Sequence, residues 1–185
     1  MVETVFPITT ERLIIRPYDD ADLDDLFAIH SRLDVARYLY TGPKQNRAEM
    51  TATMERRRHR PAFDADDQGW GLAAELAGPG RVIGDLTLLM VSHKHNQGEI
   101  GFVFHPDSTG RGLATEAARV LLGIGFDDIG FHRIVGRCDA RNDASAALMT
   151  RVGMRQEAHF VENEWVKGEW TGEKVFALRA AEWRS

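Results

Sequence analysis

A glycine-flanked arginine, Gly110-Arg111-Gly112, is the feature of this chain that most directly suggests ligand chemistry. A strand is predicted just before it at residues 99–104, and apolar residues at helical spacing start immediately behind it. The first N–H groups of a helix have no intrahelical acceptor, and the helix dipole makes that end positive. Glycine also adopts positive φ and leaves room for a close approach. The segment therefore predicts a site for a phosphate-bearing ligand.

The spacing excludes two familiar phosphate loops. A Walker loop has four residues between its glycines and a Lys-Ser or Lys-Thr pair behind them. A dinucleotide fingerprint has a third glycine at the position where this chain has Thr115. Taken alone, the two glycines are equally compatible with a plain turn.

Composition narrows the class of protein. The chain has 185 residues, 43% hydrophobic and 28% charged, which is typical of one globular domain spanning residues 1–185. Its net charge of −5 argues against a general nucleic-acid binder. One cysteine, Cys138, excludes an internal disulfide framework and is typical of a reducing compartment. Because we find neither a signal peptide nor an apolar run of roughly 20 residues, we expect a cytoplasmic protein without a membrane partner.

The order of predicted elements indicates an α/β fold with a mixed sheet. Strands are predicted at residues 10–16, 70–76, 82–91, 99–104, 134–138, 156–161 and 173–178. Helices are predicted near residues 19–30, 35–39, 46–60, 112–128 and 142–152. Short turns, one of them containing Pro79, join the second, third and fourth strands into an antiparallel meander. A loop that contains Trp165 and Trp170 is expected between the last two strands.

Four segments match the motifs of one known family, and they occur in the family's order. They are Thr10-Glu11-Arg12-Leu13-Ile14-Ile15-Arg16-Pro17, then Gly110-Arg111-Gly112-Leu113-Ala114-Thr115-Glu116-Ala117, then Asn142-Asp143-Ala144-Ser145, and finally Arg151-Val152-Gly153-Met154. Together they resemble the acetyl-CoA-dependent N-acetyltransferases of the GNAT superfamily, and most closely the RimJ/RimL ribosomal-protein acetyltransferase type. The resemblance covers nearly the whole chain.

The resemblance implies a GNAT-like fold, a mostly antiparallel sheet with helices on both faces. Its fourth and fifth strands, here residues 99–104 and 134–138, would splay apart. Acetyl-CoA would enter the gap as cosubstrate, without a metal, and lay its pyrophosphate on the glycine loop. Without the resemblance, Arg151 would equally be an exposed helix charge; with it, Arg151 lies near the 3′-phosphate. The cofactor-binding residues implied are Phe102, Val103, Phe104, Gly110, Arg111, Gly112, Leu113, Ala114, Thr115, Asn142, Ser145 and Arg151.

Acetyl transfer to an amine needs a proton acceptor and donors for the carbonyl oxygen. Glu99 is the candidate base because its strand borders the implied gap; the alternative is a carboxylate facing solvent. Ser145 is expected near the coenzyme sulfur, and its alternative is a role in the first turn of its helix. A backbone N–H near Val103 is the candidate oxyanion donor. Many superfamily members have a tyrosine where this chain has Met149, which cannot donate a proton.

The expected acceptor is a primary amine, either a protein N-terminus or a small molecule such as an antibiotic or a polyamine. A non-catalytic CoA-binding module is the alternative from another class. Candidate pocket aromatics, which could instead belong to the core or to a homodimer contact, are Tyr38, Tyr40, Trp70, Trp165 and Trp170.

Two charged runs have competing interpretations. The aspartates at positions 19, 20, 22, 24 and 25 would attract a cationic amine or simply be solvated. The basic run at residues 56–60 would contact RNA or, as we favour, form a solvated helix end, so no nucleic-acid partner is expected. Asn142 is expected to cap its helix.

Overall fold

The computed structural model describes residues 4–59, 61–78 and 80–184. Its strands are β1 (Ile8–Thr9), β2 (Leu13–Pro17), β3 (Gly69–Leu76), β4 (Val82–Ser92), β5 (Gln97–Phe104), β6 (Arg133–Asp139), β7 (Arg155–Val166) and β8 (Glu169–Arg179). Its helices are α1 (Leu23–His30), α2 (Leu33–Ala36), α3 (Arg47–Arg58), α4 (Leu113–Gly123), α5 (Asp143–Arg151) and α6 (Ala180–Trp183). The strands form one sheet in the order β1-β2-β3-β4-β5-β6-β8-β7.

The sheet is divided at the β5–β6 pair. This pair is parallel and covers only residues 97–99 and 133–135, whereas the other neighbouring strands are antiparallel. Beyond Glu99, β5 continues alongside β4 and β6 continues alongside β8, so the two strands separate into a gap. The predicted mixed fold and its splayed pair are therefore confirmed. The pair is fifth and sixth in the chain because the short β1 was not predicted.

The two faces of β4 and β5 have different surroundings. Leu86, Leu88 and Ile100 are buried in the main core, which also contains Leu113 and Leu121 of α4. Since side chains alternate along a strand, the other face carries the remaining residues. Cross-strand pairs on that face are Asp85–Val103, Thr87–Gly101 and Leu89–Glu99. This second face, where α1 contacts β4, is where polar side chains can meet a ligand.

Several element bounds differ from the sequence expectation. The helix predicted at 35–39 lies earlier, at Leu33–Ala36. The helix predicted over 112–128 changes at Ile124–Ile129 into a π-helical segment, which ends at Gly130 with φ of 86°. The short helix α6 was not predicted. The predicted helix end at residue 60 and the turn residue Pro79 lie outside the described residues.

The expected loop between the last two strands is wrong. β7 and β8 stay paired to the tip, with Trp165 opposite Trp170. The cause is a two-residue turn in which Lys167 and Gly168 have φ of 51° and 89°. Positive φ at both central residues is typical of the type I′ turn, whose twist matches that of the flanking strands. Among the described residues, no helix is both long enough and apolar enough to cross a membrane.

Candidate active site

A cavity of about 1010 Å³, here called the α4 cavity, lies at the start of α4. It is lined by the segment before β2, the glycine loop, the first turns of α4 and one face of α5. Its lining includes Arg12, Gly110, Gly112, Thr115 and Arg151.

The glycine loop presents backbone donors to the α4 cavity. Gly110 and Gly112 have φ of 72° and 78°, the left-handed region that favours glycine. The N–H of Glu116 donates to the carbonyl of Gly112 at 3.1 Å. The three N–H groups before it, at residues 113–115, precede that bond and have no intrahelical acceptor. The sequence predicted an anion site at this position, and free amides at a helix start are the donors that such a site uses.

Arg12 lies at this end of α4 and links it to the segment before β2. Arg12 donates to the carbonyl of Arg111 at 2.7 Å and pairs with Glu116 at 2.6 Å. The hydroxyl of Thr10 also donates to Glu116 at 2.6 Å. Burial would raise the pKa of Glu116, but these hydrogen bonds hold it below its ordinary value. The β2 segment is thereby tied to the loop.

Arg151 reaches the same cavity from α5, donating to the hydroxyl of Thr115 at 3.2 Å. The structure therefore places Arg151 in the cavity that Gly110 and Gly112 also line. A phosphate in this cavity would meet amide hydrogens and guanidinium groups, since Arg12, Arg119 and Arg151 line it.

The free edge of β5 faces the gap. The N–H of His105 donates to the carbonyl of Ile83 in the direction of β4, at 2.8 Å. Because alternate residues direct their N–H groups to opposite edges, the N–H of Val103 also faces β4. The N–H groups of Phe102 and Phe104 face the gap instead. The predicted donor near Val103 is thus Phe102 or Phe104 rather than Val103 itself.

A second cavity of about 390 Å³, here called the β5 cavity, lies on the polar face of β4 and β5. Its walls come from α1, the segment after α2, α3, β6 and the start of α5. Asn142 and Ser145 line the β5 cavity, while Ala144, Ala147 and Arg151 line the α4 cavity. Helix α5 therefore borders both cavities beside the gap.

Glu99 lies in the β5 cavity beside a second carboxylate. Arg137 donates to Glu99 at 3.1 Å and approaches Glu173 at 3.7 Å, and Glu173 accepts from the hydroxyl of Tyr40 at 2.7 Å. Burial raises the pKa of Glu99 above its ordinary value. The charge of Arg137 opposes that rise and the charge of Glu173 adds to it. Such a carboxylate accepts a proton more readily than an exposed one.

Sequence reasoning missed a buried network around Asp85 of β4, which also lines the β5 cavity. Asp85 is 2% exposed and accepts from Tyr18 at 2.5 Å, from Arg57 at 2.9 Å, and is 2.7 Å from Nε2 of His30. Burial would raise the pKa of Asp85, but its partners outweigh that and hold it below its ordinary value. A signal was present, because Asp85 is a lone charge within the apolar run of residues 82–86.

The start of α5 has the predicted cap. The side chain of Asn142 accepts from the N–H of Ser145 at 3.1 Å, which confirms the capping role. Ser145 is partly buried and lines the β5 cavity. Cys138 lines it too, and burial raises the pKa of its thiol to about 11, so it stays protonated near neutral pH.

Met149 does not reach this site. It is fully buried, and its sulfur packs over Gly136 so closely that a Cβ added there would lie 2.5 Å from it. The position where many superfamily members carry tyrosine is therefore part of the hydrophobic core.

The predicted pocket aromatics divide into two groups. Tyr38 and Tyr40 line the β5 cavity. Trp70 does not, because it packs against Phe6 and Phe63 beside the core. Trp165 and Trp170 are also absent from both cavity linings; their rings meet edge to face at 5.4 Å on the exposed hairpin.

The β7–β8 hairpin supports the wall of the β5 cavity without lining it. The ammonium of Lys167 donates to the carbonyls of Ala36 and Arg37 at 2.6 and 2.9 Å. It thereby holds the start of the segment that carries Tyr38 and Tyr40. The contribution of this hairpin is positioning, through Lys167, which sequence reasoning did not identify.

The basic run of α3 has three separate destinations. Arg57 pairs with Asp85, Arg58 pairs with Asp20, and Arg56 lines the β5 cavity. Arg60 lies outside the described residues. The described arginines of this run therefore do not form one uniform surface for a polyanion.

The acidic run near α1 is paired with arginines. Its ion pairs are Asp22 with Arg16, Asp20 with Arg58, Asp24 with Arg47 and Asp25 with Arg81. Among the described residues, no group of three His, Cys, Asp or Glu side chains is arranged to hold a metal ion.

The chain matches known acetyltransferases in sequence and structure. Residues 12–155 match the acetyltransferase (GNAT) domain family. The chain is 29% identical over 176 residues to the uncharacterized N-acetyltransferase YnaD of Bacillus subtilis (strain 168), covering 95% of this chain and 98% of that protein. The crystal structure of an acetyltransferase (GNAT family) from Bacillus anthracis superposes with a TM-score of 0.84 at 26% identity, covering 94% of this chain and 98% of that one.

Two further similarities bear on the acceptor. The spermidine N-acetyltransferase from Vibrio cholerae, solved in complex with CoA and spermine, shares the fold with a TM-score of 0.81 at 19% identity, covering 95% of this chain and 100% of that one. A putative ribosomal N-acetyltransferase, YdaF of Bacillus subtilis, is 25% identical over 113 residues, 61% of this chain and 62% of that protein. The predicted RimJ/RimL subtype is therefore not confirmed. The predicted superfamily is confirmed. This chain belongs to the GNAT family and is an acetyl-CoA-dependent acetyltransferase.

Proposed function

We propose that the protein transfers the acetyl group of acetyl-CoA to a primary amine held in the β5 cavity. The observation that carries this proposal is the gap between β5 and β6. The gap has amide hydrogens of α4 beside it in the α4 cavity, and Glu99 beside it in the β5 cavity. A thioester placed across it would have its phosphates near the helix start and its carbonyl near the carboxylate.

In this proposal the cofactor is bound largely through backbone groups. The N–H groups of residues 111–115 hold the pyrophosphate, and Arg151 lies near the 3′-phosphate. The free β5 edge at Phe102 and Phe104 bonds to the pantetheine and supplies the donor for the carbonyl oxygen. Gly110 and Gly112 set the loop conformation, and Asn142 fixes the start of α5 beside the coenzyme.

Glu99 is the proposed general base. An amine with a pKa of about 8 to 10.4 is mostly protonated near neutral pH and must lose a proton before or during attack. The carboxylate of Glu99 accepts that proton directly or through a water. Ser145 is proposed to lie near the coenzyme sulfur. Because a thiol has a pKa of about 8.5, the thiolate is a tolerable leaving group. The reaction therefore does not require a general acid at the position of Met149.

Two acceptor classes follow from this geometry. A protein N-terminal amine is supported by the partial similarity to YdaF. A small-molecule amine is supported by the cavity volume of about 390 Å³, which is within the usual size range of small-ligand sites. The fold shared with a spermidine acetyltransferase supports the small molecule as well.

The test is release of free CoA from acetyl-CoA, measured with a thiol reagent over a panel of amines and of peptides with free N-termini. We expect amine-dependent release, and thermal stabilisation of the protein by acetyl-CoA alone. Stabilisation without release on any acceptor would indicate a non-catalytic CoA-binding module. If acetyl-CoA neither stabilises the protein nor releases CoA in its presence, the proposed function is contradicted.

A further inference from the structure

The lining of the β5 cavity has an excess of positive charge. Four cationic side chains line it, those of Lys44, Arg56, Arg57 and Arg137. Two carboxylates line it, those of Asp85 and Glu99. Since the whole chain has a net charge of −5, this cavity differs in sign from the protein as a whole.

Two of the cations are compensated by carboxylates. Arg57 pairs with Asp85 at 2.9 Å, and Asp85 also has His30 and Tyr18 as partners. Arg137 pairs with Glu99 at 3.1 Å and lies 3.7 Å from Glu173. Neither Asp85 nor Glu99 is therefore left over to bind the second charge of a polycation.

The other two cations lack a carboxylate partner within the described part of the chain. Arg56 donates to the hydroxyl of Thr53 at 3.2 Å, which is a neutral acceptor, and Lys44 has no ion pair there. The nearby acidic run does not compensate them, because its aspartates pair with arginines outside this cavity, namely Arg16, Arg47, Arg58 and Arg81.

We propose that the acceptor is a primary amine that also carries an anionic group, a carboxylate or a phosphate, which Arg56 and Lys44 bind. Guanidinium and ammonium groups form charge-assisted hydrogen bonds with either anion. The amine of the same molecule lies toward Glu99. A polyamine would instead bring additional positive charge against two uncompensated cations, which is unfavourable. This inference rests on the proposed acetyl transfer and names its acceptor class.

The experiment compares acceptors that differ in this group only. The matched pairs are β-alanine with β-alaninamide and phosphoethanolamine with ethanolamine, and spermidine is the polycation. We expect kcat/KM to be at least tenfold higher for the member with the anionic group than for its counterpart without that group and for spermidine. Added NaCl should reduce that preference, because salt screens the attraction.

The charge of Arg56 is tested by Arg56→Gln. We expect the preference for the anionic acceptor to fall at least fivefold, with the KM for acetyl-CoA unchanged. Arg58→Gln is the matched control, since it removes the same charge from the same helix outside the cavity and should keep the preference.

The outcomes separate the two proposals. If amines are acetylated but those without an anionic group, or spermidine, are equal or better acceptors, the inference is overturned and acetyl transfer stands. If acetyl-CoA binds and no anionic amine is acetylated, the inference is also overturned. If acetyl-CoA neither binds nor is consumed, the proposed function itself fails.

Discussion

The two cavities beside the β5–β6 gap are built in opposite ways. The α4 cavity takes its donors from backbone groups in one continuous stretch, residues 110–115, with guanidinium groups added by Arg12 and Arg151. The β5 cavity takes its charges from side chains on α1, α3, β4, β5 and β6 and on the segment after α2. The donors of the α4 cavity are backbone groups, so they do not depend on the identity of most side chains in that stretch. The β5 cavity exists only as an assembly of particular side chains.

This difference matches what each cavity is proposed to bind. Amide hydrogens at a helix start bind any pyrophosphate, because every residue supplies the same donor. Side chains of chosen charge discriminate between acceptors, through attraction to one and repulsion of another. We therefore expect substitutions in the α4 cavity to affect coenzyme binding whatever the acceptor, and substitutions in the β5 cavity to affect turnover or acceptor choice.

The largest expected effect is on turnover, from Glu99→Gln in the β5 cavity. Loss of the base should lower kcat by about 10²- to 10³-fold, with coenzyme affinity unchanged. The carboxylate form is the active one, so wild-type kcat should fall as the pH drops through the raised pKa of Glu99, and the variant should lack that limb. Steady-state kinetics across pH provides the measurement. Glu55→Gln, an exposed change on α3, is the control, and wild-type rates in E99Q would exclude the role of base.

The next effect is on stability, from Asp85→Asn. Removing one partner from a buried charge network costs about 3 kcal/mol, because Arg57 loses its counterion. The pKa of Asp85 is lowered in the folded protein, so its stabilisation is present at neutral pH and is lost as the pH falls through that pKa. Denaturant unfolding at pH 7 and in acid should show the difference shrinking.

Asp24→Asn, which breaks an exposed pair with Arg47, is the matched control for this network and should cost much less. Equal losses from the two substitutions would mean that burial of Asp85 contributes little.

A smaller effect, this time on coenzyme affinity, is expected from Gly112→Val in the α4 cavity. Valine at φ of 78° is strained by 1–3 kcal/mol, roughly, and relief of that strain moves the amides. A loss of about 2 kcal/mol corresponds to about a 30-fold higher Kd for acetyl-CoA, measured by calorimetry. Gly168→Val carries comparable strain, at φ of 89°, on the distant hairpin. Gly168→Val should lower Tm without changing the Kd for acetyl-CoA. An unchanged Kd in Gly112→Val would show that the loop is not part of the coenzyme site.

The smallest effect should come from filling the floor of the β5 cavity at Gly101. A Cβ there lies 3.6 Å from the Cβ of Thr87, an ordinary contact, so the fold tolerates it. Gly101→Ala and then Gly101→Val should raise the acceptor KM in steps, to about tenfold for valine, with the KM for acetyl-CoA as the internal control. A rise in the coenzyme KM alone would place Gly101 beside the coenzyme instead of the acceptor.

Much of the fold was predictable because local patterns encode it. Three consecutive predicted strands with short turns indicated the meander of β3 to β5, and the apolar spacing of α4 predicted its start to within one residue. The hairpin tip was mistaken for a loop because Lys167 adopts positive φ, which no sequence pattern of that residue type indicates. The π-helical segment after α4, in which Ile124, Gly125 and Phe126 are buried, was likewise not predicted.

The start of α4 was predictable as an anion site. In the β5 cavity the sequence singled out Glu99, Phe102, Val103, Asn142, Ser145 and two tyrosines. Its remaining charges come from positions far apart in the chain, such as Lys44 and Arg137, whose neighbours do not mark them as functional. The prediction that Trp165 and Trp170 line the pocket failed for a related reason. Aromatic character says nothing about which side of the sheet a hairpin tip occupies.

The sequence by itself determined the parts that depend on one stretch of chain: the strand, the glycines and the helix start that together present free amides. The tertiary structure alone decided that Arg56 and Arg57 line a cavity while Arg58 pairs at the surface, and that Arg57 is the one that neutralises Asp85. The physical reason is that backbone donors are fixed by local φ and hydrogen bonding. The net charge of a cavity is instead a sum over side chains that only folding brings together.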